Sequence, residues 1–359
     1  FPYTTLFRSV SAIEGVDVVL GTRNKGDVVY YVNKARDEQT AQIYVESVLR
    51  NKKFEALNIE EYQDKTRAFL KIQDGCNRFC AYCIIPYSRG SVCSKEPRQV
   101  LDEINKLSEH GFKEIILSGI HTASYGLDLD GEITLVDLLE EIEKLDGIER
   151  VRIGSIEPAF FTPEVIEKIK NMKKLCPQFH LSLQSGCNAT LKRMNRRYTA
   201  EEYERIVNIL RENIKDVSIT TDVIVGFPGE TEEEFNETYE FLKRIKLTKT
   251  HVFKYSPREG TKAATMPNQL DGTVKDKRSK ALIELNDKNE GDFTRFIVGR
   301  VMDVLIEQPV KGKDDVYEGY TRNYVKVEVK GIEENLKGQI VNCKIEEALG
   351  DYAVATLVK

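Results

Sequence analysis

Short apolar runs along the chain alternate with longer stretches in which hydrophobic residues recur every three or four positions. From Arg67 onward the alternation repeats, which predicts six strand–helix units. The predicted strands cover 68–73, 114–118, 150–155, 180–183, 218–225 and 250–253. The first helix, 97–110, carries Val100, Leu101, Ile104 and Leu107 on one stripe, and the second covers 135–144. Thr162-Pro163 opens a third helix with proline in its first turn. Thr199 with Glu202, and Thr231 with Glu234, have the capping-box spacing that starts the fourth and fifth. Units that all run strand-then-helix pack as a parallel sheet with helices outside. Two further units would be needed to close an eight-unit barrel, so an open (βα)6 barrel is expected, with function at the carboxyl ends of its strands.

A long helix is expected at 274–296. Beyond it, β-rich runs at 301–307, 315–320, 323–330, 338–345 and 352–358 lie between Gly or Asn turns and predict a small antiparallel barrel or sandwich. Ahead of the core, 16–20 reads as a strand ending at Gly21, 27–32 as a second short strand or turn, and 33–61 as a polar linker. The first residue is Phe1 rather than Met, and residues 1–9 resemble a translated sequencing adapter more than protein. The expected division is therefore 1–9 as non-native, 10–61 as the tail of a larger α/β unit plus linker, 62–292 as the core, and 293–359 as a separate β domain.

The bulk composition changes little. Of 359 residues, 41% are hydrophobic and 31% charged, an ordinary balance for a globular chain that is long enough for more than one domain. No apolar run approaches the roughly 18 residues of a membrane span, and a cytoplasmic address without membrane partners is expected. A net charge of −5 does not advertise nucleic acid, so a local basic surface would have to do so.

The candidate chemistry lies in the run Cys76-Asn-Arg-Phe-Cys80-Ala-Tyr82-Cys83. Three thiols at C-x3-C-x2-C spacing can wrap one soft metal centre, either an iron–sulfur cluster or zinc. Three ligands on a four-iron cubane leave one iron open. Zinc would need a fourth ligand, for which Cys93 is available, but structural zinc sites usually come as two paired knuckles and no second C-x2-C exists. Cys93, Cys176, Cys187 and Cys343 otherwise read as small buried hydrophobes. Other strand ends carry polar groups: Ser155 and Glu157 in the third unit, Ser182 and Gln184 in the fourth, Asp222 and Gly226 in the fifth. Each alone is also ordinary turn chemistry. His121 is either a hydrogen-bonding site residue or a turn histidine.

The cysteine run, with an aromatic Tyr82 just before its last member, resembles the radical S-adenosylmethionine (SAM) enzymes. That resemblance implies a 4Fe-4S cluster on Cys76, Cys80 and Cys83 that reduces SAM, with Tyr82 against the adenine. His180-Leu-Ser-Leu-Gln184-Ser-Gly186 and Leu191-Lys-Arg193-Met-Asn-Arg196-Arg197-Tyr-Thr199 resemble the methylthiotransferase branch. The branch implies SAM contacts from Gln184 and a basic residue, Arg196 or Arg197, with the spacing favouring Arg196 and a two-pronged grip on the SAM carboxylate. The alternative is an exposed basic helix start. Ser155, Glu157 and Asp222 complete the implied SAM pocket.

The segments Gly119–Thr122, Ser155–Pro158 and 251–263 look like the branch that methylthiolates C2 of N6-threonylcarbamoyladenosine at position 37 of tRNA. Sister branches act on isopentenyladenosine in tRNA or on a ribosomal protein. A non-catalytic, zinc-stabilised RNA-binding protein is the alternative of another class. The resemblance further implies a monomer, a flavodoxin- or ferredoxin-type reductant, and a C-terminal TRAM domain. It also implies a second 4Fe-4S cluster, with ligands expected before Val10 and absent from this chain. In the TRAM domain, Arg322, Tyr324, Lys326 and Lys330 are expected to hold single-stranded RNA. The plain reading there is a solvated mixed surface, with Glu318, Glu328, Glu333 and Glu334 close by.

Overall fold

The computed structural model describes residues 9–46, 48, 54–55, 65–332 and 335–358. The adapter-like stretch up to residue 8, the boundary at 61/62, and Glu333 and Glu334 lie outside the described residues.

Strands β1 (Val18–Leu20) and β2 (Gln42–Tyr44) pair in parallel, joined by a helix Val28–Glu38. This corrects the expectation of a short strand or turn at 27–32 and of a polar linker beginning at 33. Val28-Val-Tyr-Tyr-Val32 is apolar throughout, and such a run does not by itself distinguish strand from helix. Tyr31 and Ala35, four apart, are the buried pair, and the Tyr31 ring stacks on Tyr44 at 4.8 Å. Gln39 in the left-handed region (φ 53°) ends the helix.

The core begins with β3 (Arg67–Lys71) and a short antiparallel pair, β4 (Gln73–Asp74) with β5 (Cys93–Ser94). It continues through β6 (Glu114–Ser118), β7 (Arg150–Ile153), β8 (Gln178–His180), β9 (Ser218–Val225) and β10 (Lys249–Lys254). Two parallel sheets, β3-β6-β7 and β8-β9-β10, are stitched together by the bridges Val151–Leu175 and Ile156–Leu181. Ile156 N donates to His180 O at 2.9 Å across that seam. The six strands run in one direction, and among the described residues β10 does not pair with β3, so the barrel is open. The fourth strand lies earlier than expected, and beyond it Leu181 and Gln184, the latter at a positive φ of 72°, keep single bridges to Ile156 and Val223.

Period-two alternation divides each strand. Ala68, Leu70, Ile115, Leu117, Val151 and Ile153 pack outward against helices such as Pro97–Glu109 and Leu135–Glu143. The register sets the opposite positions side by side: Arg67, Phe69 and Lys71 beside Glu114, Ile116 and Ser118, then Arg150 and Arg152. On the other half, Thr220 and Asp222 lie beside Lys249 and His251. The lumen is therefore largely polar. Both capping boxes form as the spacing predicts, with Thr199 accepting from Glu202 N and Thr231 from Glu234 N.

The helix Gly272–Phe296 leads to β11 (Val301–Pro309), β12 (Val316–Thr321), β13 (Lys326–Lys330), β14 (Ile340–Leu349) and β15 (Tyr352–Leu357). These close into a barrel in the order β11-β12-β13-β15-β14 around Val304, Ile306, Val327, Val329, Cys343 and Ile345. One of its pairings, β13 with β15, is parallel. The architecture is thus α/β, an open parallel barrel followed by a five-stranded OB-like β-barrel.

That β-barrel covers the amino ends of the core strands. Arg150 donates to Asp303 O (2.8 Å) and Tyr320 O (3.1 Å), and Arg152 to Arg322 O (2.7 Å) and Thr321 O (3.0 Å). Glu114, fully buried, accepts from both arginines. Tyr324 stacks on Tyr320 at 4.8 Å, with the Arg67 and Arg152 guanidinium groups 5.2 and 4.5 Å from its ring. Arg322 donates to Lys173 O and Leu175 O. Arg322 and Tyr324 therefore take part in docking the two barrels, a role not expected of them, while Tyr324 stays 37% exposed. Lys326 pairs with Glu318 at 2.6 Å, and Lys330 is exposed.

Candidate active site

The cysteine loop leaves the carboxyl end of the first strand unit. Gly75 starts it in a conformation (φ 70°) open to glycine, and a Cβ there would fall 1.9 Å from Ser91 O. Cys76 N donates to Gly90 O at 3.0 Å, and Cys83 N to Cys80 O at 3.0 Å. Phe79, between the first two cysteines, also has a positive φ (50°). Two distant segments clamp the loop: Ala81 N donates to Met194 O (2.9 Å), and Ala263 N to Ala81 O (2.8 Å). Ala81, Met194, Phe227, Tyr255 and Ala263 form a small apolar core of their own beneath Tyr82.

Gly75→Ala should displace this loop. The expected result is a clear loss of bound iron per chain after anaerobic reconstitution. Gly111→Ala, with a similar φ of 87° but open space around it, should keep its iron and lose only about 1–2 kcal/mol of stability.

Arg196 joins the cysteines to the strand ends. Its Nη1 lies 3.3 Å from Cys80 Sγ, its Nε donates to Tyr198 Oη at 2.9 Å, and its Nη2 donates to Ser182 O at 3.4 Å. The same Nη2 is 3.6 Å from Glu157 Oε1. The other carboxylate oxygen of Glu157 meets Arg78 Nη2 at 2.6 Å and His121 Nε2 at 3.0 Å. His121 Nδ1 bonds Ser124 Oγ, which can donate to it, so the neutral ring carries its proton on Nε2 and donates to Glu157. The 3.4 Å approach of Arg78 Nε to the same nitrogen is then a contact between two donors rather than a hydrogen bond.

Burial pushes the Glu157 carboxyl up, but the His121 hydrogen bond and the Arg196 and Arg78 charges outweigh it and hold it below the usual carboxylate range. Burial pushes the Cys76 and Cys83 thiols up. Burial likewise keeps the Tyr82 phenol un-ionised.

The structure thus brings together Cys80, Glu157 and Arg196, with Cys76, Tyr82 and Cys83 in the same loop. Gln184 is buried, and its backbone bridges to β9 through Asp222 O (2.8 Å) and Ile224 N (2.9 Å). Ser155 is exposed and joins none of these bonds. Asp222 sits lower on the lumen face, 3.3 Å from His180 Nε2. Cys93, Cys176, Cys187 and Cys343 are buried. Sequence reasoning missed Arg78 and Tyr198. Arg78 lies inside the C-x3-C loop, and its charge there was the available signal.

An open parallel barrel with a three-cysteine loop at its mouth defines a class, and the comparisons give its family. The description "Radical SAM superfamily" matches residues 70–242. The chain is 41% identical over 353 residues to "Threonylcarbamoyladenosine tRNA methylthiotransferase MtaB" of Bacillus subtilis (strain 168), covering 98% of this chain and 78% of that protein. It is 39% identical over 332 residues to "tRNA-2-methylthio-N(6)-dimethylallyladenosine synthase" of Thermoanaerobacter pseudethanolicus, covering 92% and 70%. Among solved structures, coproporphyrinogen III oxidase of Escherichia coli aligns with a TM-score of 0.47 at 13% identity, covering 64% of this chain and 54% of that one. The chain belongs to the radical SAM methylthiotransferase family.

Membership implies a 4Fe-4S cluster and SAM. The donor set fits that cluster. Among the described residues no three His, Cys, Asp or Glu side chains converge on a single-ion site. A cubane asks for something else, one thiolate on each of three separate irons. Cys76 Sγ accepts from Arg78 N at 3.4 Å and Cys80 Sγ from Arg196, the kind of N–H···S contact that tunes such clusters. No described helix is long and apolar enough to cross a membrane.

Proposed function

We propose that the protein adds a methylthio group to C2 of N6-threonylcarbamoyladenosine at position 37 of tRNA. The observation that carries the reading is the Arg196 junction. One guanidinium links Cys80, Glu157 and Ser182 O, and so joins the cysteine loop to two strand ends of the barrel mouth. The substrate is supported by the 41% identity to the threonylcarbamoyladenosine enzyme.

In this reading Cys76, Cys80 and Cys83 hold the cluster, which when bound supplies the electron that cleaves SAM. Tyr82 offers an apolar wall to the SAM adenine. Arg196 and Glu157 present a cation and an anion side by side, the complement of the carboxylate and amine of an amino acid. Glu157 stays ionised for that purpose because His121 and Arg78 hold it so. Gln184, Ser155 and Asp222 complete the proposed pocket, with Asp222 the deepest. The fit of a cluster that takes its electron from a flavodoxin- or ferredoxin-type protein, in a cytoplasmic monomer, belongs to the same reading. So does the division into a core at 62–292 and an RNA-binding domain at 293–359.

A second reading, with isopentenyladenosine in tRNA as substrate, is supported by the 39% identity to the dimethylallyladenosine enzyme. Mass spectrometry of tRNA nucleosides from a strain lacking the gene distinguishes them. Loss of 2-methylthio-N6-threonylcarbamoyladenosine, restored by the gene, is expected. Loss of the isopentenyl product instead would establish the second reading.

A further inference from the structure

Below the candidate active site, the lumen holds a cavity of about 310 Å³. Its walls are the amino halves of β8, β9 and β10, and its floor is the C-terminal barrel, through Tyr320, Tyr324 and Lys326. A barrel interior that serves only packing is filled by branched apolar side chains. Here each wall strand offers hydrogen-bonding groups instead: His180 on β8, Thr220 on β9, Lys249 and His251 on β10.

Those groups keep bonding capacity in reserve. His180 Nδ1 lies 3.0 Å from Thr220 Oγ1, while its buried Nε2 is 3.3 Å from Asp222 Oδ2 without the alignment of a hydrogen bond. The His251 ring lies 5.8 Å from that of His180 and is exposed to the cavity. Lys249 Nζ pairs with Glu290 at 2.7 Å and has two further protons to donate. Of the charged wall residues, Lys249 pairs with Glu290, Lys326 turns to Glu318 at 2.6 Å, and Asp351 also lines the cavity. Above His251 on the same face of β10, Phe253 is half exposed at the edge strand of the open barrel.

We infer that this cavity receives the N6 substituent of the target adenosine, and that Lys249, His251 and His180 select a substituent bearing a carboxylate and a hydroxyl over an apolar one. The inference rests on the threonylcarbamoyl reading above and names the residues that would enforce it. C2 and the N6 substituent flank N1 on one six-membered ring. A base that brings C2 toward the cysteine loop therefore carries its substituent into the same lumen. A threonylcarbamoyl group offers a carboxylate to Lys249, and a hydroxyl and urea to the imidazoles. A dimethylallyl group would take water from those side chains and return no hydrogen bond, which is how a polar pocket rejects an apolar analogue. Phe253 gives the purine an apolar face at the entrance.

The test uses the full chain and three anticodon stem–loops, identical except for A, N6-threonylcarbamoyl-A or N6-isopentenyl-A at position 37, with binding read by fluorescence anisotropy. The unaltered chain is expected to bind the threonylcarbamoyl RNA about tenfold more tightly than the unmodified one, the effect of one charge-assisted hydrogen bond. Lys249→Met and His251→Ala should each remove most of that preference, while unmodified RNA binds as before and the melting temperature holds. Either variant, folded and with its preference intact, overturns the assignment of that residue. An unaltered chain without preference among the three overturns the cavity's role. A preference for isopentenyl RNA sinks the substrate reading itself, a distinct outcome.

Discussion

Cys80→Ala is expected to abolish SAM cleavage and to strip most of the iron from the reconstituted protein. A cubane held by three thiolates loses a whole iron–sulfur bond when one goes, and alanine offers no donor. The same change leaves the Arg196 Nη1, now 3.3 Å from a sulfur, without its acceptor in a nearly closed site. Arg196 keeps Glu157, Tyr198 and Ser182 O, so the added cost is that of one buried N–H left without an acceptor, about 1–3 kcal/mol. Cys343→Ala is the matched control. That thiol lies in the core of the C-terminal barrel and should cost stability without costing iron. Iron analysis, the brown absorbance near the visible edge, and 5′-deoxyadenosine release read the two variants. Full iron with normal cleavage in Cys80→Ala would remove the cysteine loop from the chemistry.

The second large effect is expected far from that loop. Glu114 is fully buried between Arg150 and Arg152, with Arg67 on the neighbouring strand. Glu114→Ala leaves these guanidinium groups facing one another in the dry floor of the lumen, and breaking a buried pair in this way costs about 3–5 kcal/mol. Chemical unfolding should show it, together with freer motion of the C-terminal barrel, since Arg150 and Arg152 hold the carbonyls of 303 and 320–322. A loss under about 1 kcal/mol, the range of an exposed pair, would mean that the arginines rearrange into water.

The pH dependence has a definite sign. Burial pushes the Glu114 carboxyl up, but Arg152, Arg150 and Arg67 more than compensate and set it below its usual value. A depressed carboxylate contributes stability that is present above the unfolded value of about 4.3 and is lost as the pH falls through the lower folded value. Acid below that range should therefore loosen the two barrels from each other, and neutral pH should leave them docked.

Much of the site was legible because its signals are local. The cysteine spacing, the capping boxes at Thr199 and Thr231, and strands β6 and β9 each depend on residues within a few positions of one another. Arg196, rather than Arg197, was favoured by spacing, and it is Arg196 that reaches Cys80. The helix Val28–Glu38 was not legible, because its apolar run lacks a period that separates helix from strand. Arg322 and Tyr324 looked like RNA-binding groups because cation and aromatic side by side have two uses, and a sequence does not say which.

By itself the sequence determined the class of this protein: an iteration of strand and helix that forms an open parallel barrel, a thiolate loop at the carboxyl end of its first strand unit, and a small β-rich domain, barrel or sandwich, after the long helix. These follow from hydrophobic periodicity and short-range spacing, which are properties of the chain alone. Only the tertiary structure decided which ends of the strands the second barrel covers, that Arg78 and His121 hold Glu157 ionised, and that the lower lumen is a polar cavity. Those facts depend on sheet register and on contacts between segments as far apart as Arg152 and Arg322, where three-dimensional packing brings charges together and burial decides which of them must pair.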